Sequence, residues 1–120
     1  MLAKHISKCR EFVAGDGCHL REVLLPPRDR TGEKFSLAHA RIKPGGRSAK
    51  HKLKSSETYV VLEGKGVAHV GGRRAAVKKG SVVFVPRNTV QWVENKGKKS
   101  LVFLCIVSPA WKKEDETVLE

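Results

Sequence analysis

The sequence predicts an all-β fold, a sandwich or barrel, on three observations. Short segments rich in Val and aromatic residues recur between Gly, Pro and Asn turn signals from residue 35 onwards. No segment in that region keeps an apolar i, i+3, i+4, i+7 pattern for the length of a helix. Residues two apart also sort by face, as a strand requires: Glu57, Tyr59 and Val61 fall on one side, Val60 and Leu62 on the other.

The strands follow in order. Residues 35–42 stop at Pro44-Gly45-Gly46, and 58–62 stop at Gly64-Lys65-Gly66. Residues 67–70 end at Gly71-Gly72, and 75–77 end at Lys78-Lys79-Gly80. Residues 81–85 run into Pro86-Arg87-Asn88, 90–93 into Asn95-Lys96-Gly97, and 101–107 into Ser108-Pro109. Only the ends leave room for a helix, and 111–119 is the segment expected to form one. At 120 residues the chain suits a single domain over 1–120, with 1–34 and a short C-terminal tail packing on a barrel of about 35–110.

Composition excludes several classes. The longest apolar run, 101–107, is far short of the roughly 20 residues of a transmembrane helix, so no membrane partner is expected. The N-terminus lacks the apolar stretch of a signal peptide, and a cytoplasmic protein is expected. Three cysteines, Cys9, Cys18 and Cys105, lack C-x-x-C spacing and indicate neither a disulfide framework nor a zinc finger. Twenty-four Lys and Arg against twelve Asp and Glu leave a net charge of +12. The basic residues come in short groups beside Gly and Pro, and most of the seven aromatics sit in apolar runs. That pattern reads as a solvated basic surface and weighs against a nucleic-acid reader.

Both faces of the strand at 58–62 are apolar. So are both faces of 101–107, with Phe103, Cys105 and Val107 opposite Leu104 and Ile106. One face fills the interior, and the other needs a cover, from the N-terminal segment or a second subunit. A homodimer is the expected solution.

Two spaced patterns carry more. Gly45, His51, Leu53, Glu57 and Gly64 are separated by five, one, three and six residues. Gly80, Pro86, Asn88, Gln91 and Asn95 are separated by five, one, two and three. These resemble the two motifs of the cupin superfamily, G-x5-H-x-H-x3,4-E-x6-G and G-x5-P-x-G-x2-H-x3-N, and the stretch 53–66 is similar to small single-domain cupins labelled mannose-6-phosphate-isomerase-like. The resemblance implies a double-stranded β-helix, or jelly roll. It also implies a divalent-metal site at the positions of His51, Leu53, Glu57 and Gln91, of which Leu53 is no ligand. His51, Glu57 and Gln91 are therefore the expected metal residues, for a weakly held Fe, Mn, Ni or Zn. Asn88 stands where the family has Gly, and Asn tolerates the positive φ of such a turn.

Other readings of the same residues stay open. His51 paired with Glu57 suits a polar pocket without an ion, and Gln91 can satisfy a backbone group. Tyr59 and Cys105, on the inward parity, are candidate catalytic residues, or else a core aromatic and a small buried hydrophobe. The chain has no G-x-S-x-G elbow, P-loop or dinucleotide fingerprint. What remains is isomerase-type proton transfer or dioxygenase-type chemistry on a small polar metabolite, anions among the candidates. The alternative is a metal-free binding or sensory protein without catalysis.

Overall fold

The computed structural model describes all 120 residues. Eleven strands run in chain order: β1 Glu11–Val13, β2 His19–Leu24, β3 Ser36–Ile42, β4 His51–Leu53, β5 Ser56–Glu63, β6 Lys65–Val70, β7 Arg73–Lys78, β8 Val82–Val85, β9 Gln91–Asn95, β10 Leu101–Ser108 and β11 Glu116–Val118. They form two sheets. One has the order β1-β2-β3-β10-β5-β8 and the other β11-β4-β9-β6-β7, and every named pairing is antiparallel. Each strand expected between residues 35 and 107 is present, within a few residues of its expected ends.

The alternation that predicted the faces decides the packing. On β5 the inward Glu57, Tyr59 and Val61 are buried, while Thr58, Val60 and Leu62 are half-buried on the other face. Ala40, Ile42, Phe103, Leu101 and Cys105 join Tyr59 and Val61 from one sheet, and Ala68, Val77 and Val93 meet them from the other. Two close approaches fix the rim between sheets. A side chain on Gly64, at φ +84°, would meet the Ser100 carbonyl at 2.6 Å, and one on Gly66 would run into the Glu94 carbonyl. Asn88 has φ 57°, so the turn keeps the left-handed conformation that glycine would supply.

The expected helix at 111–119 does not form. Lys113–Asp115 makes one 3-10 turn, and the chain then extends as β11, antiparallel to β4 with Glu116 opposite Leu53 and Val118 opposite His51. The reason is tertiary. β4 has one register pair with β9, between His51 and Gln91, so most of its other edge needs a partner, and β11 provides it. At the other end, β1 and β2 extend the six-stranded sheet beyond β3 rather than covering its apolar face. That outer face leaves Val82 and Phe84 65% and 61% exposed.

Candidate functional site

Between the sheets lies a cavity of about 120 Å³, mostly apolar, lined by Phe12, Leu20, Leu24, Leu25, Leu37, Val107 and Trp111 among others. Its polar groups include Asp16, His51, Glu57, Tyr59, Cys105 and Glu116. No Lys or Arg reaches it, although the chain carries 24. An anion has no cationic side chain to meet there.

His51 opens β4 and points inward, 3% exposed. Its Nδ1 lies 2.7 Å from the Ala49 carbonyl, which can only accept, so Nδ1 carries a proton and Nε2 is the nitrogen turned towards the cavity's acids. Nε2 faces Asp16, with Oδ2 3.7 Å away. Asp16 sits in the turn between β1 and β2. Its other oxygen accepts the Cys18 amide at 3.0 Å, and its carbonyl accepts the Ala49 amide at 2.7 Å, which ties this hairpin to the entry of β4. Glu116, the first residue of β11, completes the group. Donor atoms of Asp16, His51 and Glu116 all lie within 4.8 Å of one another. Burial raises the Glu116 carboxyl, His51 lowers it and Asp16 raises it again. Two carboxyl groups that repel one another when charged, gathered around one imidazole nitrogen, form a donor set that a divalent cation would relieve.

A second group lies beside His51. Glu57 is buried, and loss of water pushes its carboxyl up to about 7, against the attraction of His51 and hydrogen bonds from Cys105 and Gln91. The Tyr59 hydroxyl donates to Gln91 Oε1, and its ring packs edge-on against Phe103 with centroids 5.2 Å apart. Burial drives the Tyr59 and Cys105 ionisations well upward, so both stay neutral hydrogen-bonding groups. Leu53 is an apolar part of the cavity wall.

The sequence-predicted residues thus divide. His51, Glu57, Tyr59, Cys105 and Gln91 all point to one interior, but Gln91 spends its oxygen on Tyr59 while His51 faces Asp16 and Glu116. Those two acids lie outside the spaced motifs. Asp16 carried a faint signal, a Gly15-Asp16-Gly17 turn; Glu116 carried none while its segment read as helix.

Comparison with known proteins follows the same lines. The family model described as a cupin domain matches residues 38–107. An uncharacterised protein of Methanocaldococcus jannaschii, MJ1618, is 36% identical over 114 residues, covering 94% of this chain and 90% of its own. Among solved structures, the polyketide cyclase RemF from Streptomyces resistomycificus superimposes with a TM-score of 0.82 at 18% identity, over 100% of this chain and 86% of that one. A predicted oxalate decarboxylase from Thermotoga maritima gives 0.76 at 24% identity, over 90% and 99%. At such identities the two structures establish the fold alone.

Proposed function

The chain belongs to the cupin superfamily, and on that premise we propose that it is a small-molecule-binding cupin whose cavity holds a divalent cation through Asp16, His51 and Glu116. One observation carries the reading: three donor atoms within 4.8 Å, with the imidazole already oriented by the Ala49 carbonyl. Nitrogen with two carboxylates suits Mn, Fe or Zn, and such an ion would act as a Lewis acid towards a ligand oxygen. Glu57, able to gain and lose a proton near neutrality, supplies an acid–base group for an isomerase-type step. Tyr59 and Cys105 act as neutral positioning groups, the one donating to the Gln91 oxygen and the other to the Glu57 carboxyl. An anionic ligand, as the names of some relatives suggest, binds here by ligating the cation.

Metal analysis of tag-free protein and calorimetric titration with Mn(II) and Zn(II) test this. One cation per chain is expected, with binding weakened at least about tenfold in Glu116→Gln and lost in His51→Ala. Unchanged affinity in Glu116→Gln, with a loss in Gln91→Ala, would assign the ion to the family positions His51, Glu57 and Gln91. No binding by the parent would favour the metal-free reading, which the apolar Leu53 and the Tyr59–Gln91 bond support.

The assembly belongs to the same reading. The face with Val60, Leu62, Val82, Phe84, Leu104 and Ile106 is apolar in a chain of +12 charge, and a second copy of that face is the cover we propose. No helix is long and apolar enough to cross a membrane. Three free cysteines suit a reducing compartment, in keeping with a cytoplasmic protein.

A further inference from the structure

The outer face of the five-stranded sheet is chemically unlike the rest of the molecule. On β9 and β6, Gln91 and Val93 and then Gly66 and Ala68 are buried, so Trp92 and His69 point outward. They are register partners, and their rings stack with centroids 3.7 Å apart and 6° between planes. Arg74, the register partner of His69 on β7, lies beyond that pair. On the other side, Lys50 and Arg47 sit over the Trp92 ring, with the ammonium and guanidinium 5.4 Å and 5.2 Å from its centroid. One row across the sheet therefore reads cation, tryptophan, histidine, cation. Lys52 on β4 and the paired Lys65 and Lys78 on β6 and β7 flank it.

The negative groups on this face are already engaged. Glu94 pairs with His69 at 2.7 Å and Lys96 at 3.1 Å, and Glu120 pairs with Arg47 at 2.5 Å. Lys50, Lys52, Lys65, Arg74 and Lys78 have no ion-pair partner. In the sequence these residues lie in scattered groups, and the aromatics lie in unrelated runs. Folding gathers them on one face.

We propose that this face is a docking surface for single-stranded nucleic acid. The unpaired cations suit a phosphate backbone, which releases condensed counterions on binding. Stacking and cation–π contacts of the kind made among His69, Trp92, Arg47 and Lys50 are those by which such surfaces hold unpaired bases. Between its cations this face carries only Val67 and Ala76 as aliphatic side chains, too little apolar area to enter a membrane, which favours an extended strand. The site is separate from the cavity, whose charged lining is carboxylate.

Fluorescence anisotropy with a labelled 20-nucleotide oligo(dT) and a mixed RNA of equal length, over a series of KCl concentrations, tests the proposal. Binding is expected to fall linearly with salt on a log–log plot. Lys52→Glu with Arg74→Glu should weaken it by about tenfold or more, since two phosphate contacts become repulsive. Lys8→Glu with Lys34→Glu, which change net charge equally on exposed positions away from this face, should leave it within about twofold. Equal losses in the two double variants would overturn the proposal, because they would show attraction to net charge alone. No binding by the parent would overturn it as well. Inorganic polyphosphate competing as well as the oligonucleotide, with Trp92 emission in a Trp111→Phe background unchanged on oligonucleotide binding, would overturn the nucleic-acid assignment.

Discussion

Asn95, the last residue of the second motif, shows how a polar side chain holds a barrel shut. It is 2% exposed, donates to the Ile42 and Lys99 carbonyls at 2.9 Å and 2.8 Å, and accepts the Gly97 amide at 2.9 Å. Asn95→Ala leaves these groups unpaired in the interior, and chemical denaturation should show a loss of about 3 kcal/mol. Glu57 works in the opposite sense, since its burial opposes its own charge. The folded carboxyl holds its proton up to about 7 while the ordinary value is 4.5, so the folded state binds that proton more tightly than the unfolded chain. Stability from this group is full below about 4.5, falls as pH rises through 7, and is level above. With chelator present, Glu57→Gln should flatten that decline and be the more stable protein at pH 8, by up to about 3 kcal/mol. Denaturation curves of both proteins from pH 5 to 8 check it; parallel curves would mean that Glu57 is ionised in the folded protein throughout.

Among the elements, β4 and β11 depend on each other. β4 has three register pairs with β11 and one with β9, and backbone bonds from Lys54 to Asp115 and from Leu119 to Lys50 close the two ends. Removing residues 116–120 should free β4, cost at least about tenfold in cation affinity, and leave most of the strand signal in circular dichroism. The strands β3 and β5 to β10 were legible in the sequence because Gly, Pro and Asn punctuate them, whereas the three-residue β4 is too short to show a period of its own. The turn at Asn88 was legible for the same local reason. β11 was not, because Lys112, Lys113, Glu114 and Glu116 are good helix formers. Only a distant strand lacking an edge partner turns that segment extended. Asp16 escaped notice likewise, for what aims it at His51 is a backbone bond to Ala49, made across the fold.

At the scale of the whole molecule, the two sheets turn opposite characters to the outside. The outer face of the six-stranded sheet is apolar around Val82 and Phe84, and that of the five-stranded sheet is cationic around Trp92. Pairing through the first would leave the second free on each copy. Ultracentrifugation at tens of micromolar should show a dimer, and Leu62→Lys should convert it to monomer, since an unpaired charge in an apolar interface is strongly unfavourable. A parent that sediments as a monomer would refute the pairing.

The donor set Asp16, His51 and Glu116 joins residues from near both ends of the chain to its middle. Closing it requires loops far longer than any hairpin in the barrel, and contacts of such separation are slow to form. The site is complete only when both tails are docked on the barrel. A cation bound there would act as a clasp on those tails, stabilising the docked state by an amount that grows with the logarithm of its concentration above the dissociation constant. Amide hydrogen exchange should slow on adding Mn(II) at residues 14–18 and 115–119, and remain unchanged in the central strands β5 and β10.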